Sequence, residues 1–158
     1  MNYTIETLTT AEIPPFFILF KEILSTEFPG YSPDTIQLFL TKLYTEYNFS
    51  YYLEKNMKTI FIVKNNTEMI GFAVIDEPYG GVSLLRWLGI QKVHQRKGIG
   101  KNLIEKWLYL ATTQNCHKAE VAAQPEAKEF YAKAGLILEG HRIKSYFGID
   151  QYIFGKVL

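Results

Sequence analysis

What this chain lacks narrows it first. Its single cysteine, Cys116, excludes an internal disulfide and any zinc site built from several thiolates. Its place at the end of a helix-like segment reads as packing, not as a nucleophile. Three histidines, His94, His117 and His141, are scattered with no carboxylate at ligand spacing, so no metal site is expected. No apolar run reaches the about 20 residues that a spanning helix needs. Met1-Asn2-Tyr3-Thr4-Ile5-Glu6 lacks a basic stretch followed by a long apolar one. A cytoplasmic protein with no membrane contact is therefore expected. The formal net charge of +1 gives no broad field for nucleic acid. There are no repeats, low-complexity runs or linkers, and 158 residues suit one domain, 1–158, with a real core.

Aromatic residues are abundant, with 11 Tyr, 11 Phe and 2 Trp. Many fall in the first third, from Phe16 to Tyr52. Such an excess suits an aromatic-lined groove or an interface, which leaves a homodimer open.

Along the chain, residues 2–8 alternate as a strand. Thr9-Thr10 caps a helix that runs to about Glu27, with Pro14 and Pro15 near its start. Phe28-Pro29-Gly30-Tyr31 breaks it. Ser32-Pro33-Asp34 opens a second helix, in which Ile36, Phe39, Leu40, Leu43, Tyr44 and Tyr47 recur at helical spacing. Residues 59–64 and 69–75 form a hairpin across Asn65-Asn66. Residues 82–90 are a further strand, residues 98–114 a long helix and residues 118–123 a short strand. Residues 125–134 make a helix with Gly135 as its C-cap. Residues 136–147 and 149–157 read as a closing hairpin. The order β-α-α-β-β-β-α-β-α-β-β predicts an α/β chain with a mixed sheet and helices on both faces.

The most telling segment is Gln95-Arg96-Lys97-Gly98-Ile99-Gly100, between the apolar strand ending at Ile90 and the helix that begins Lys101-Asn102-Leu103. Unpaired amides and the dipole at a helix start favour an anion. Gly98 and Gly100 let backbone approach a phosphate, and Arg96, Lys97 and Lys101 add positive charge. There is no Gly-Lys-Ser/Thr and no three-glycine dinucleotide fingerprint, so neither of those phosphate loops applies. A plain nucleotide-phosphate binder stays an alternative. Downstream lie Gln124-Pro125-Glu126-Ala127, Phe130-Tyr131 and Gly135-Leu136.

These segments together resemble the GNAT superfamily of acyl-CoA-dependent N-acetyltransferases. Gln95, Gly98 and Gly100 match its Gln/Arg-x-x-Gly-x-Gly/Ala signature. Ala127, Phe130-Tyr131 and Gly135-Leu136 match a second family feature, with leucine in place of phenylalanine. The close resemblance spans residues 84–136. It implies a GNAT-like fold and an enzyme, an N-acetyltransferase that moves acetyl from acetyl-CoA to a primary amine by direct attack in a ternary complex. A non-catalytic acyl-CoA-binding module is the alternative.

By the same resemblance, the backbone of Leu88, Gly89 and Ile90 pairs with the pantetheine arm, and Gln95, Arg96, Lys97, Gly98, Ile99, Gly100 and Lys101 hold the pyrophosphate. Gln124 stands where relatives place a pantetheine-contacting asparagine. Tyr131 stands where they place the acid that protonates the departing thiolate. Family members splay their central strands at a β-bulge; Gly89 could supply it, or be a small residue packed under a helix. The base stays open among Glu120, Asp76 or Glu77, His141 and a water chain. Glu120 lies on the strand where related enzymes carry a glutamate, although one place out of register. His94 and His117 read as structural. Tyr31, Tyr44, Tyr51, Tyr52, Tyr146 and Phe147 are candidates for an aromatic acceptor wall, suited to a small amine, an amino acid or a peptide N-terminus.

Overall fold

The structure is a computed structural model describing residues 2–158. Strand β1 (Thr4–Thr7) leads through a short 3-10 turn to helix α1 (Ile13–Glu27). Thr9 and Glu12 close a reciprocal capping box on that turn, and Pro14 and Pro15 fall in the first turn of α1, where their missing amides cost nothing. Short helix α2 (Pro33–Leu38) follows, N-capped by Ser32, whose Oγ accepts from the Thr35 amide at 3.2 Å.

The predicted second helix is not continuous. A π-turn over Phe39–Leu43 ends at Tyr44, whose backbone leaves the helical region, and Thr45 caps a separate helix α3 (Glu46–Glu54). The apolar period survives the break because the π-turn adds one residue without rotating Phe39, Tyr44 and Phe49 off the core.

Strands β2 (Lys58–Asn65), β3 (Glu68–Asp76) and β4 (Val82–Ile90) form an antiparallel meander. Helix α4 (Ile99–Thr113), strand β5 (Lys118–Ala123), helix α5 (Lys128–Lys133) and strands β6 (Ile137–Arg142) and β7 (Gln151–Val157) complete the chain. The closing hairpin is narrower than predicted: β6 stops at Arg142, and a 3-10 turn over Tyr146–Gly148 occupies its loop. All seven strands make one mixed sheet in the order β1-β2-β3-β4-β5-β7-β6, with β4 and β5 its parallel pair.

The central strands bury both faces. On one, Leu103, Ile104 and Trp107 of α4 and Tyr131 of α5 pack against Phe61, Val63, Ala73, Leu85 and Val121. On the other, α1 and α3 pack Phe16, Phe20, Ile23 and Phe49 against Ile60, Ile62, Phe72 and Trp87. This second core is largely aromatic. Phe16, Phe20, Phe49 and Phe72 meet edge-on or tilted with centroids 5.0–6.0 Å apart, each such pair contributing about 0.5–1.5 kcal/mol beyond its buried area. Among the described residues, no helix is long and apolar enough to cross a membrane, and no group of three or more metal-ligating side chains is present.

Candidate active site

The site begins with a defect in β4. Val74 pairs with Trp87, but the next residue of β3, Ile75, pairs with Leu85. Arg86 is therefore an extra residue, a bulge. One extra residue reverses the side chains beyond it. Leu85 points into the α4 core, and Trp87, two residues on, points into the α1 core. Pairing with β5 stops at the same place, since the last partners are Leu85 and Val121. Beyond it, residues 87–90 stay with β3, while Ala122 and Ala123 stay with β7. The two central strands thus part and open a slot.

The bulge is at Arg86, not at Gly89. Gly89 pairs regularly with Phe72, and a Cβ there would lie 2.5 Å from Ile23 Cγ2 and 3.0 Å from Phe72 Cζ. It is small because α1 crosses directly over it.

A cavity of about 810 Å³ fills the slot and runs to the glycine loop. Leu88, Gly89, Ile90, Gln95, Arg96, Gly98, Gly100, Lys101, Gln124 and Tyr131 all line it. Lys97 and Ile99 do not: the Lys97 ammonium donates back to the Val93 carbonyl at 2.8 Å, and Ile99 is buried in the α4 core. Gly98 caps α4 with φ +83°, and no atom lies within 4 Å of where its Cβ would be. That glycine is needed for its backbone, and it leaves open space over the first amides of α4. Gly100 has another reason. A Cβ there would come within 2.8 Å of the Phe130 ring, so this glycine seats α4 against α5. Arg96 also takes a left-handed conformation, φ +59°, a strained state for a non-glycine residue.

Gln95 ties the loop down. Its Nε2 donates to the Ile90 carbonyl at 2.9 Å and to Glu27 Oε2 at 2.7 Å. Nothing in the sequence pairs Glu27 with Gln95, 68 residues away. The one local signal is an acidic residue in the last turn of α1, where the helix dipole disfavours it.

Tyr131 is presented by α5. Gly135, at φ +85°, ends that helix, with the Gly135 amide donating to Ala132 and the Leu136 amide to Tyr131, a Schellman pattern. The ring is held by Phe130 and Phe154, and burial pushes the phenol above its ordinary value, so it stays protonated. Gln124 follows β5 and is 9% exposed, with Nε2 buried and unpaired. The Tyr31 phenol lies nearby without reaching hydrogen-bond geometry. An unpaired buried amide donor in a cavity wall fits a ligand carbonyl.

The base candidates do not gather at the slot. Glu120 lies outside the cavity, 3.5 Å from Lys118, which also binds Glu139 at 2.6 Å. Asp76 has both oxygens engaged, one by Lys58 and one by Arg86. His141 stacks on Tyr152 and pairs with Asp150 at 3.0 Å on the outer hairpin. His117 packs under the Gly81 turn, and His94 buries Nδ1 without a partner. Phe28, Tyr31, Phe39, Tyr44, Trp87 and Phe147 form one aromatic cluster with ring centroids 4.6–6.3 Å apart; Phe28, Tyr31 and Trp87 line the cavity, while Tyr44, Phe147 and the predicted Tyr146 do not. Tyr51 and Tyr52 lie on α3, off the cavity.

A bulged central strand, a slot beside it and a glycine-capped helix are the frame of the site. A family model described as an acetyltransferase (GNAT) domain matches residues 27–145, and the chain belongs to that family. No curated protein sequence matches it significantly. The PaiA N-acetyltransferase of Thermoplasma acidophilum, solved with coenzyme A, is similar over 100% of both chains, with TM-score 0.82 and 16% identity. A probable acetyltransferase of Staphylococcus epidermidis is similar over 99% of each chain, with TM-score 0.81 and 14% identity. A ribosomal-protein-alanine N-acetyltransferase of Brucella melitensis is similar over 98% of this chain and 99% of its own, with TM-score 0.76 and 16% identity. At such identities the likeness is one of fold.

Proposed function

We propose that this acetyltransferase moves the acetyl group of acetyl-CoA to a primary amine, a small molecule, an amino acid or a peptide N-terminus, by direct attack in a ternary complex. The parting of β4 from β5 at Arg86 carries the reading, because it frees a strand edge beside a loop built for a diphosphate. The PaiA relative solved with coenzyme A supports that choice of carrier.

The free edge of residues 88–90 takes the pantetheine arm as an added strand. Gln124 Nε2 donates to one of its carbonyls. The first amides of α4, with Arg96 and Lys101 beside them, take the diphosphate. A backbone amide near Ile90 polarises the thioester carbonyl. The nitrogen–carbon bond forms as the carbon–sulfur bond breaks. One proton leaves the nitrogen, and Tyr131 supplies one to the sulfur. Its raised phenol is neutral at physiological pH and can donate. The nitrogen's proton leaves through water: Asp76, the carboxylate at Arg86, has both oxygens engaged, and Glu120 and His141 lie off the cavity.

The test is acetyl-CoA with an amine panel, read as thiol release. Turnover with at least one amine, together with competition by CoA and not by ATP, is expected. CoA bound tightly with no thiol release across the panel overturns the transfer reading, and preference for ATP overturns the carrier.

A further inference from the structure

We propose that Arg86 receives a carboxylate of the acceptor, so that the amine acylated here is an α-amino acid with an apolar side chain; the inference rests on the transfer reading above. Arg86 is the extra residue of the bulge and lines the cavity where the slot opens. Its Nε and Nη2 both donate to one oxygen of Asp76, Oδ2, at 2.9 and 2.5 Å. Its Nη1 has no protein partner among the described residues. Asp76 cannot neutralise it, because Lys58 takes the other oxygen. Two cations share one carboxylate, which leaves a net positive charge. Lys58 and Asp76 are 12% and 18% exposed, while Arg86 is 43% exposed, so the guanidinium is the member of the triad that meets the cavity.

The surroundings select further. The cavity's carboxylates, Glu27, Glu126 and Glu129, stand at the end of α1 and the start of α5, beside the glycine loop. The carboxylate at Arg86 itself, Asp76, is already shared by two cations. A polyamine therefore finds no spare counter-charge there, whereas a carboxylate finds a free guanidinium edge. Burial works against the Arg86 charge, and Asp76 outweighs it, so the group stays fully cationic.

The cavity wall on its side is aromatic: Phe28, Tyr31 and Trp87, with Phe39 and Phe147 packed against Tyr31. The Phe147 backbone is left-handed, φ +59° and ψ 24°, a costly conformation for an aromatic residue, and its ring packs edge-on to Phe39 at 4.6 Å. Pairing the carboxylate with Arg86 removes its stabilisation of the neighbouring ammonium and favours the neutral amine.

The test compares L-phenylalanine, L-phenylalaninamide and phenethylamine by thiol release. It also compares N-acetyl-L-phenylalanine with N-acetylphenethylamine by calorimetry on CoA-saturated protein. Phenylalanine should exceed both analogues that lack the carboxylate by at least about tenfold in kcat/KM, and N-acetylphenylalanine should bind more tightly than its uncharged counterpart by a similar factor. Arg86→Gln should erase both preferences, and Arg86→Lys should keep part of them. Equal or better turnover of the amide or the amine by the wild-type protein overturns the inference and leaves acetyl transfer standing; it needs no variant and so does not depend on one folding. No thiol release with any amine, beside tighter binding of N-acetylphenylalanine lost in Arg86→Gln, supports the carboxylate site while overturning transfer.

Discussion

The two tryptophans of this chain stand on opposite faces of the sheet and keep different accounts. Trp107, on the α4 face, is fully buried, and its Nε1 donates to Ser83 Oγ at 2.9 Å. Trp87, on the α1 face, is 6% exposed, and its Nε1 has no hydrogen bond; the Tyr44 phenol is near but outside bonding geometry. The same contrast runs through both faces. The α4 side is mostly aliphatic, satisfied and ended by glycine caps. The α1 side is aromatic, with a strained Phe147 and an unpaired guanidinium edge beside it. Satisfied polar groups mark scaffold, and groups left unpaired next to a cavity mark where a ligand completes the set.

The sharpest way to break that contrast is at the glycine cap. Gly98→Glu forces a side chain into φ +83° and places negative charge over the α4 amides. CoA affinity should fall at least about a hundredfold, or about 2.7 kcal/mol, by calorimetry, with the fold intact by circular dichroism. Wild-type affinity would dismiss this loop as the diphosphate site. Next in size, Tyr131→Phe should cost about two orders of magnitude in turnover while CoA affinity barely moves. Unchanged turnover, with the chemical step shown to be slow, removes Tyr131 as the acid.

The tryptophans themselves offer the next comparison. Trp107→Phe leaves a void and an orphaned Ser83 hydroxyl in the α4 core, whereas Trp87→Phe discards a donor that had no partner. Urea unfolding should show the first variant less stable than the second by about 1–2 kcal/mol. Equal losses would mean that the hydrogen-bond accounting does not separate the two faces.

What the sequence showed follows the range of the interactions involved. The glycine loop, the Gly135 cap and the end of α1 at Glu27 are local, set by residues within one turn, and are legible there. The bulge is not local. Its cause is the mismatch of Ile75 with Leu85 across two strands, and along β4 its only trace is a cation inside an apolar run. The Gln95–Glu27 bond spans 68 residues, which no pattern in either segment reports. The break at Tyr44 stayed hidden because a π-turn preserves the apolar face that periodicity reads. Glu120 is suggested by its strand and by the resemblance, but it shares Lys118 with Glu139 of β6, a contact visible only once β7 lies between β5 and β6.

The smallest expected effect separates the faces by pH. Helix α1 is pinned to the sheet by charge: Glu12 accepts from Lys64 at 2.7 Å and from the Thr9 amide at 3.0 Å. The Lys64 ammonium and these Thr9 bonds hold the Glu12 carboxyl down at about 2. Its folded value lies below its unfolded one, so its contribution is complete above about 4.5 and drains away as pH falls toward about 2. Helix α4 starts on Gly98 and has no such titrating anchor. Glu12→Gln keeps an acceptor for the cap and removes the charge, so it should cost less than about 1 kcal/mol at pH 7. That gap to the wild type should close between pH 4.5 and pH 2. In hydrogen exchange, acid should loosen α1 amides before α4 amides. A gap that stays constant with pH, or α4 opening first, would show that charge does not distinguish how the two layers are held.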